Sequence, residues 1–481
     1  MAADLVHLSA AEIARLVRTR ALSCREVASA FLEGATADVE IQAFLRLDPE
    51  TTLAEADRAQ ELVDAGVGGP LAGVPVAVKD NLSTEGIETT CASKILQGYV
   101  PPYDATVVMK LRDAGAIVFG KTNLDEFAMG TSGENSAYQV TKNPWALDRA
   151  PGGSSSGSAA AVAAGLAPLS LGSDTGGSIR MPAALCGVVG FKPTYGRASR
   201  YGLVAFASSL DQVGPFGRNV EDAALLAAAI TGHDPNDSTS LPTTPITFSK
   251  DGSLRGKRVA VPQELMGEGI DAGVRARVEE ALDAMRREGA VVETISLPSI
   301  ALGVSTYYIL APAEASSNLA RFDGVRYGPR LEGDGHVGMV ARTRGRLFGS
   351  EVKLRIMVGT YVLSAGYYDA YYTKALAVRE RMKAEFEAAL GSYDLIASPA
   401  SPIPAFALGS LADDPLALKL LDFCTIPANL GGFPAISIPC GLTEGLPVGL
   451  QLLASPGEDE ALLNAAHAAE RALPSIGRPA R

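Results

Sequence analysis

Gly152-Gly153-Ser154-Ser155-Ser156-Gly157-Ser158 leads into an alanine-rich run at 157–165 and an apolar stretch at 168–173, and this ends in Asp174-Thr175-Gly176-Gly177-Ser178. The alanine-rich run reads as a helix and the apolar stretch as a strand, with glycine-rich turns on either side. Working outward, short apolar runs alternate with amphipathic stretches along the rest of the chain. Strands are expected at 74–79, 116–120, 168–173, 257–262, 394–398, 434–439 and 447–454. Helices are expected at 105–114, 157–165, 219–231, 273–288, 370–391 and 458–472. That alternation is the pattern of an α/β protein built on a largely buried sheet.

The first 65 residues read as a helical segment, with capping-box starts at Ser9-Ala10-Ala11-Glu12 and Ser23-Cys24-Arg25-Glu26. Residues 234–256, with Pro235, Pro242 and Pro245 among serines and threonines, read as a linker or as a surface loop within one domain spanning 1–481. At 481 residues the chain can bury a large core, and its 47% hydrophobic and 20% charged residues are those of a globular protein. With 42 basic against 54 acidic residues the net charge is −12, which argues against a chain that grips nucleic acid by itself. A partner that holds the nucleic acid is still compatible with it.

Cys24, Cys91, Cys186, Cys424 and Cys440 are scattered without metal-ligand spacing and read as buried thiols in a reducing compartment, so no metal is expected. The N-terminus lacks the basic and apolar regions of a secretory signal. The uncharged interval between Arg149 and Asp174 is broken by glycines, serines and Pro168, and no membrane span is expected there.

Two familiar patterns mislead. Gly115-Ala116-Ile117-Val118-Phe119-Gly120-Lys121-Thr122 fits the phosphate-binding GxxxxGK[ST], but Ala-Ile-Val-Phe is a strand where that loop needs small, flexible residues. Gly153-Ser154-Ser155-Ser156-Gly157 fits a nucleophile elbow centred on Ser155, which needs a preceding strand and a histidine partner. The segment before it is loop-like, and His233, His336 and His467 sit in no setting that resembles a catalytic loop.

A serine hydroxyl needs a base to take its proton, and without a credible histidine lysine is the remaining base if burial keeps it neutral. Lys79 ends the apolar run Val74-Pro75-Val76-Ala77-Val78. It suits that role, and it equally suits a lysine reaching out from a strand end. Ser154 is compatible with a relay and with a helix cap. Gly176-Gly177 ahead of Ser178 let successive N–H groups converge as an oxyanion hole, or they form a plain tight turn.

The continuous block Gly152 to Gly196, through Cys186-Gly187-Val188-Val189-Gly190-Phe191-Lys192-Pro193-Thr194, together with Lys79-Asp80-Asn81, resembles the amidase signature family. Ser156 departs from the glycine usual at that position. The resemblance implies a large mixed, twisted sheet covered by helices on both faces. It implies a Ser178–Ser154–Lys79 triad, with Ser154 held through a cis peptide bond and an oxyanion hole at Thr175, Gly176, Gly177 and Ser178.

Glu314 to Gly324, Arg355 to Tyr361 with Ala365 to Asp369, and Asp422 ahead of Thr425-Ile426-Pro427-Ala428-Asn429-Leu430 resemble the A-subunit branch of tRNA-dependent amidotransferases. By that resemblance glutamine is the substrate, with Arg355 on its α-carboxylate, Asp422 on its α-ammonium, and Gly130 also lining the site. From the residues alone, Arg355 and Asp422 fit surface charges or an internal ion pair as well. The resemblance further implies B and C subunits for partners and tRNA contacted mainly through them. It puts ATP and Mg²⁺ on a partner, with no cofactor on this chain, and a cytoplasmic location. Arg342, Arg344, Arg346 and Lys353 form either a solvated face or an approach to tRNA or a partner.

Overall fold

The computed structural model describes residues 5–480. Among them eleven strands make one sheet: β1 (Phe44–Arg46), β2 (Pro75–Lys79), β3 (Ile117–Thr122), β4 (Leu169–Asp174), β5 (Val189–Lys192), β6 (Gln212–Gly217), β7 (Arg258–Pro262), β8 (Val291–Ile295), β9 (Leu395–Pro399), β10 (Ala435–Thr443) and β11 (Leu446–Leu453). Their order is β1-β3-β2-β4-β6-β5-β10-β11-β9-β7-β8. Parallel pairs (β3-β2-β4 and β9-β7-β8) flank an antiparallel centre.

Successive strand residues part to opposite faces. Along β7, Val259 and Val261 join one apolar cluster while Ala260 joins another; along β9, Leu395 and Ala397 part from Ile396 in the same way. Helices Val220–Ile230, Ala272–Arg287 and Asp459–Ala472 feed the first cluster, and helices Gly303–Asn318 and Lys374–Leu390 feed the second. The sheet is therefore mixed and covered on both faces, as expected.

The first six strands in sequence occupy one side of the sheet and the last five the other. Residues 234–256 carry the chain between these halves. They are pinned rather than loose: Asp234 accepts from the Thr106 and Ser199 hydroxyls, the Ile246 N–H donates to Thr231 Oγ1 (2.9 Å), and Ile246 and Leu254 are buried.

The expected strands and helices all occur, with ends shifted by a few residues. Two details differ. Ser23 and Glu26 form the full capping box, but at Ser9 only half forms, because the Glu12 carboxylate turns to Arg15. The last long helix of the second cluster starts at Lys374 after a π-helical turn at Tyr368–Thr373. No helix of the described residues is long and apolar enough to cross a membrane.

Candidate active site

Lys79 closes β2 and is fully buried. Its Nζ lies 2.8 Å from Ser154 Oγ, 2.8 Å from Ser155 Oγ, 2.9 Å from Ser173 Oγ and 3.3 Å from the Ser173 carbonyl. Among the described residues, no carboxylate pairs with it. Burial pushes its pKa down to about 7, against the pull of the more distant Asp125, Asp174 and Asp211. A neutral amine keeps one lone pair, so one of these hydroxyls can then donate to it. That is the electronic arrangement a base needs.

The serine loop approaches from the N-terminus of helix Ser156–Ala163, and the Gly153–Ser154 peptide is cis. Asp125 backs this loop: its N–H donates to the Ser154 carbonyl (3.1 Å), and its carboxylate accepts from the N–H groups of Gly133 (3.0 Å) and Asn135 (2.9 Å). A β-carbon on Gly153 would stand 1.9 Å from Asp125 Oδ2, so only glycine fits there.

Ser178 follows β4 and is 8% exposed. The Ser155 N–H donates to its carbonyl (3.3 Å), which ties the serine loop to the glycine loop. Among the described residues, Ser178 Oγ makes no hydrogen bond, and neither do the N–H groups of Thr175, Gly176, Gly177 and Ser178. Four N–H donors are thus left for an incoming oxyanion. Side chains could not replace the glycines: a β-carbon on Gly176 would meet the Tyr307 ring at 2.8 Å, and one on Gly177 would meet Thr425 Oγ1 at 2.1 Å. Thr175 also donates its hydroxyl to Asp211 (2.7 Å), and the Thr425 hydroxyl donates to the Gly176 carbonyl (2.7 Å).

A wholly buried ion pair anchors both ends of this loop. Arg180 reaches Asp174 through Nε (3.1 Å) and Nη2 (3.0 Å), and also donates to Thr425, Gln451 and Asn429. Burial alone would raise the Asp174 carboxyl, but Arg180 beside it holds it down at about 2.

Arg355 and Asp422 are buried and share Tyr308. The Tyr308 ring lies 5.2 Å from the Arg355 guanidinium, and its hydroxyl donates to Asp422 (3.2 Å). The neighbouring Tyr307 is the residue that packs on Gly176. Arg355 also pairs with Glu351 (2.7 Å), and Asp422 accepts weakly from Thr131 (3.4 Å). Burial pushes the Asp422 carboxyl up to about 7, opposed by Arg355 and Tyr308. Gly130 precedes Thr131, whose carbonyl accepts from the Gly153 N–H (2.7 Å), so this segment touches both the serine loop and Asp422. Lys79 thus touches the serine loop, and the serine loop touches the glycine loop. Thr131 and the Tyr307–Tyr308 pair connect these loops to Arg355 and Asp422, which are not surface charges.

Several residues of the site escaped the sequence reading: Ser173, Asp125, Tyr308 and the Asp174–Arg180 pair. Ser155 is held by Lys79 and the Ser173 carbonyl, not by a histidine. Arg180, the one charge between Asp174 and Lys192, was the one available signal of that pair. Arg342 and Arg346 are exposed, whereas Arg344 donates to the Leu319 and Phe322 carbonyls.

The amidase family profile matches residues 26–463. The A subunit of glutamyl-tRNA(Gln) amidotransferase from Symbiobacterium thermophilum is 56% identical over 96% of each chain, and that from Moorella thermoacetica is 53% identical over 97% of each. The crystal structure of the same subunit from Thermotoga maritima aligns with a TM-score of 0.82 at 42% identity over 99% of each chain. The peptide amidase of Stenotrophomonas maltophilia aligns with a TM-score of 0.83 at 32% identity over 98% of each. By profile, identity along nearly its whole length and fold, the chain belongs to the amidase family.

Proposed function

We propose that this chain is the glutamine-hydrolysing A subunit of a tRNA-dependent amidotransferase, supplying ammonia to convert Glu-tRNA(Gln), Asp-tRNA(Asn) or both. Fold does not choose the substrate, since the peptide amidase and the Thermotoga amidotransferase chain superpose equally well. The observation that carries the reading is the Arg355–Tyr308–Asp422 group beside the glycine loop. It offers a buried guanidinium for an α-carboxylate and a buried carboxylate for an α-ammonium, the two charges that distinguish glutamine from a simple amide. The high identity to relatives named as that subunit supports it.

In this mechanism neutral Lys79 takes a proton from Ser154, which takes one from Ser178. Ser178 Oγ forms a bond to the side-chain carbonyl carbon of glutamine, and the N–H groups from Thr175 to Ser178 hold the oxyanion. As the carbon–nitrogen bond breaks, the proton returns from Lys79 through Ser154 to the leaving nitrogen, and ammonia departs. Water, deprotonated along the same route, then releases glutamate from Ser178.

The B and C subunits are the partners in this reading. ATP and Mg²⁺ act on a partner, tRNA is held mainly there, and the location is cytoplasmic, where tRNAs are charged. One surface suits assembly. Met357 is 62% exposed and Tyr361 50%, and with Val358, Tyr367, Tyr368 and Tyr371 they form an apolar face on helix Ser350–Val362 and the turn after it.

Co-expression with the partner subunits, with glutamate release and amidated tRNA as readouts, tests the proposal. Ser178→Ala should abolish glutamine hydrolysis, and wild type should carry an acyl adduct on Ser178. Intact glutaminase activity in Ser178→Ala would remove the triad assignment. Rapid turnover of unrelated amides by the isolated chain would favour a stand-alone amidase.

A further inference from the structure

We propose that Glu126 is a positioning residue for glutamine: it fixes the N-terminus of the helix that carries Arg355 and so sets where the guanidinium stands. The inference rests on the glutaminase reading above.

Glu126 is 2% exposed and the triad makes no use of it. Its Oε2 accepts from the Gly349 N–H (2.8 Å), and its Oε1 accepts from the Ser93 hydroxyl. Gly349 is the residue just before helix Ser350–Val362, and that helix has no side-chain cap of its own. The first N–H groups of a helix lack partners within it, and a carboxylate placed there answers both the missing bond and the helix dipole. Glu126 supplies that cap from a distant segment. One turn on, Glu351 accepts from Arg355 Nε (2.7 Å), so the capped turn itself holds the guanidinium. Near its other end the helix is pressed against helix Gly303–Asn318, where a β-carbon on Gly359 would stand 1.9 Å from the Pro312 carbonyl. The latter helix carries Tyr308.

The preceding residue does the complementary task, since Asp125 backs the Ser154 loop. Phe127 (φ 52°) and Ala128 (φ 61°) stand in the left-handed region, so the chain turns sharply directly after the two carboxylates. The Phe127 ring also packs on Phe348, the neighbour of Gly349 (5.7 Å between centroids). One short segment thus locates both the serine loop and the carboxylate-binding helix.

The test uses the complex assembled with its partner subunits and compares glutamine with 4-aminobutanamide, which is glutamine without its α-carboxylate. Glu126→Ala should raise KM for glutamine by about tenfold or more while kcat changes less than about threefold, and kcat/KM for 4-aminobutanamide should fall by no more than about threefold. Glu126→Gln keeps an acceptor oxygen and should stay within about threefold of wild type on both amides. Gly349→Ala, whose β-carbon would stand 2.3 Å from Glu126 Oε2, should reproduce the KM effect through an independent change. Glu126→Ala combined with Arg355→Ala should be no worse than Arg355→Ala alone. Equal losses on both amides, or an unchanged KM for glutamine in Glu126→Ala and Gly349→Ala, would overturn the inference while leaving the glutaminase reading intact. Absence of glutamine hydrolysis by the wild-type complex would overturn both.

Discussion

Lys79 and Lys121 stand on neighbouring parallel strands, both shut from solvent, and differ almost entirely in their company. The register pairs Val78 with Lys121 and Lys79 with Thr122, so the two lysines leave the sheet on opposite faces. Lys79 meets three serine hydroxyls and a carbonyl. Lys121 meets the Leu82 carbonyl (2.6 Å), Thr89 (2.8 Å), Thr84 (3.2 Å) and the carboxylate of Asp80 (3.4 Å). Burial pushes both amines down, but Lys121 has a counter-charge in contact that holds it up. Burial alone does not make a base. Lys192 is also buried, lowered to about 7 and without a touching carboxylate, but among the described residues its Nζ meets only the Pro193 carbonyl. Lys79 meets serine hydroxyls that can pass it a proton.

Replacing each lysine by methionine separates their roles most widely. Lys79→Met keeps the stem and removes the amine, and should cut glutamine turnover by about 10³-fold or more in a protein that still folds. Lys121→Met should leave turnover of the folded protein within a few-fold. It strands Asp80 in the interior, and the cost should be about 3–5 kcal/mol, read as a lower urea midpoint. Asp80→Asn in the Lys121→Met background should recover part of that loss. Comparable activity losses in the two single variants would show that burial, and not company, sets the role.

The pH dependence sharpens the same contrast. Glutamine hydrolysis should rise about tenfold per pH unit below a midpoint near 7 and level off above it, as Lys79 loses its proton. The stability effect has a definite sign. The folded-state pKa near 7 lies below the ordinary lysine value of about 10.4, so between those limits the unfolded chain binds more protons. This group therefore adds stability as pH rises through that window, and below about 7 it imposes the full penalty of a buried ammonium. The difference between wild type and Lys79→Met in urea midpoint should change across that interval. A flat difference would place the lysine's proton loss elsewhere.

Lys79 was legible because it ends a valine-rich run, and the serine and glycine loops because such runs are rare in a chain of ordinary composition. Lys121 was legible in the negative sense: Ala116 to Phe119 reads as strand, and β3 indeed runs from Ile117 to Thr122. Other parts were hidden for physical reasons. β6 reads Gln-Val-Gly-Pro-Phe-Gly, the composition of a loop, and becomes a strand only because β4 and β5 pair with it on either side. Helix Gly303–Asn318 contains Pro312 and is buried on several sides, so neither propensity nor periodicity reveals it. Asp125 and Glu126 look like surface carboxylates in sequence. Their burial follows from loops and helix ends far along the chain, which no local pattern encodes.

The smallest predicted effects isolate a single hydroxyl beside each amine. Thr89→Val removes one acceptor from Lys121, and Ser173→Ala removes one from Lys79. Each deletion should cost about 1 kcal/mol of stability, the usual net value of one buried hydrogen bond. The consequences for activity should then part. Lys121 has its other acceptors and Asp80, so Thr89→Val should leave the pH midpoint of glutamine hydrolysis where it was. Ser173 Oγ accepts from Asn81 (2.9 Å) and, with its second lone pair, from Lys79 Nζ (2.9 Å), and in that arrangement it favours the ammonium form of Lys79. Ser173→Ala should therefore move the activity midpoint to lower pH while weakening the fold no more than Thr89→Val does. An upward shift would mean that Ser173 donates to a neutral Lys79 in the resting protein, and the proton relay would begin from a different arrangement of the same three serines.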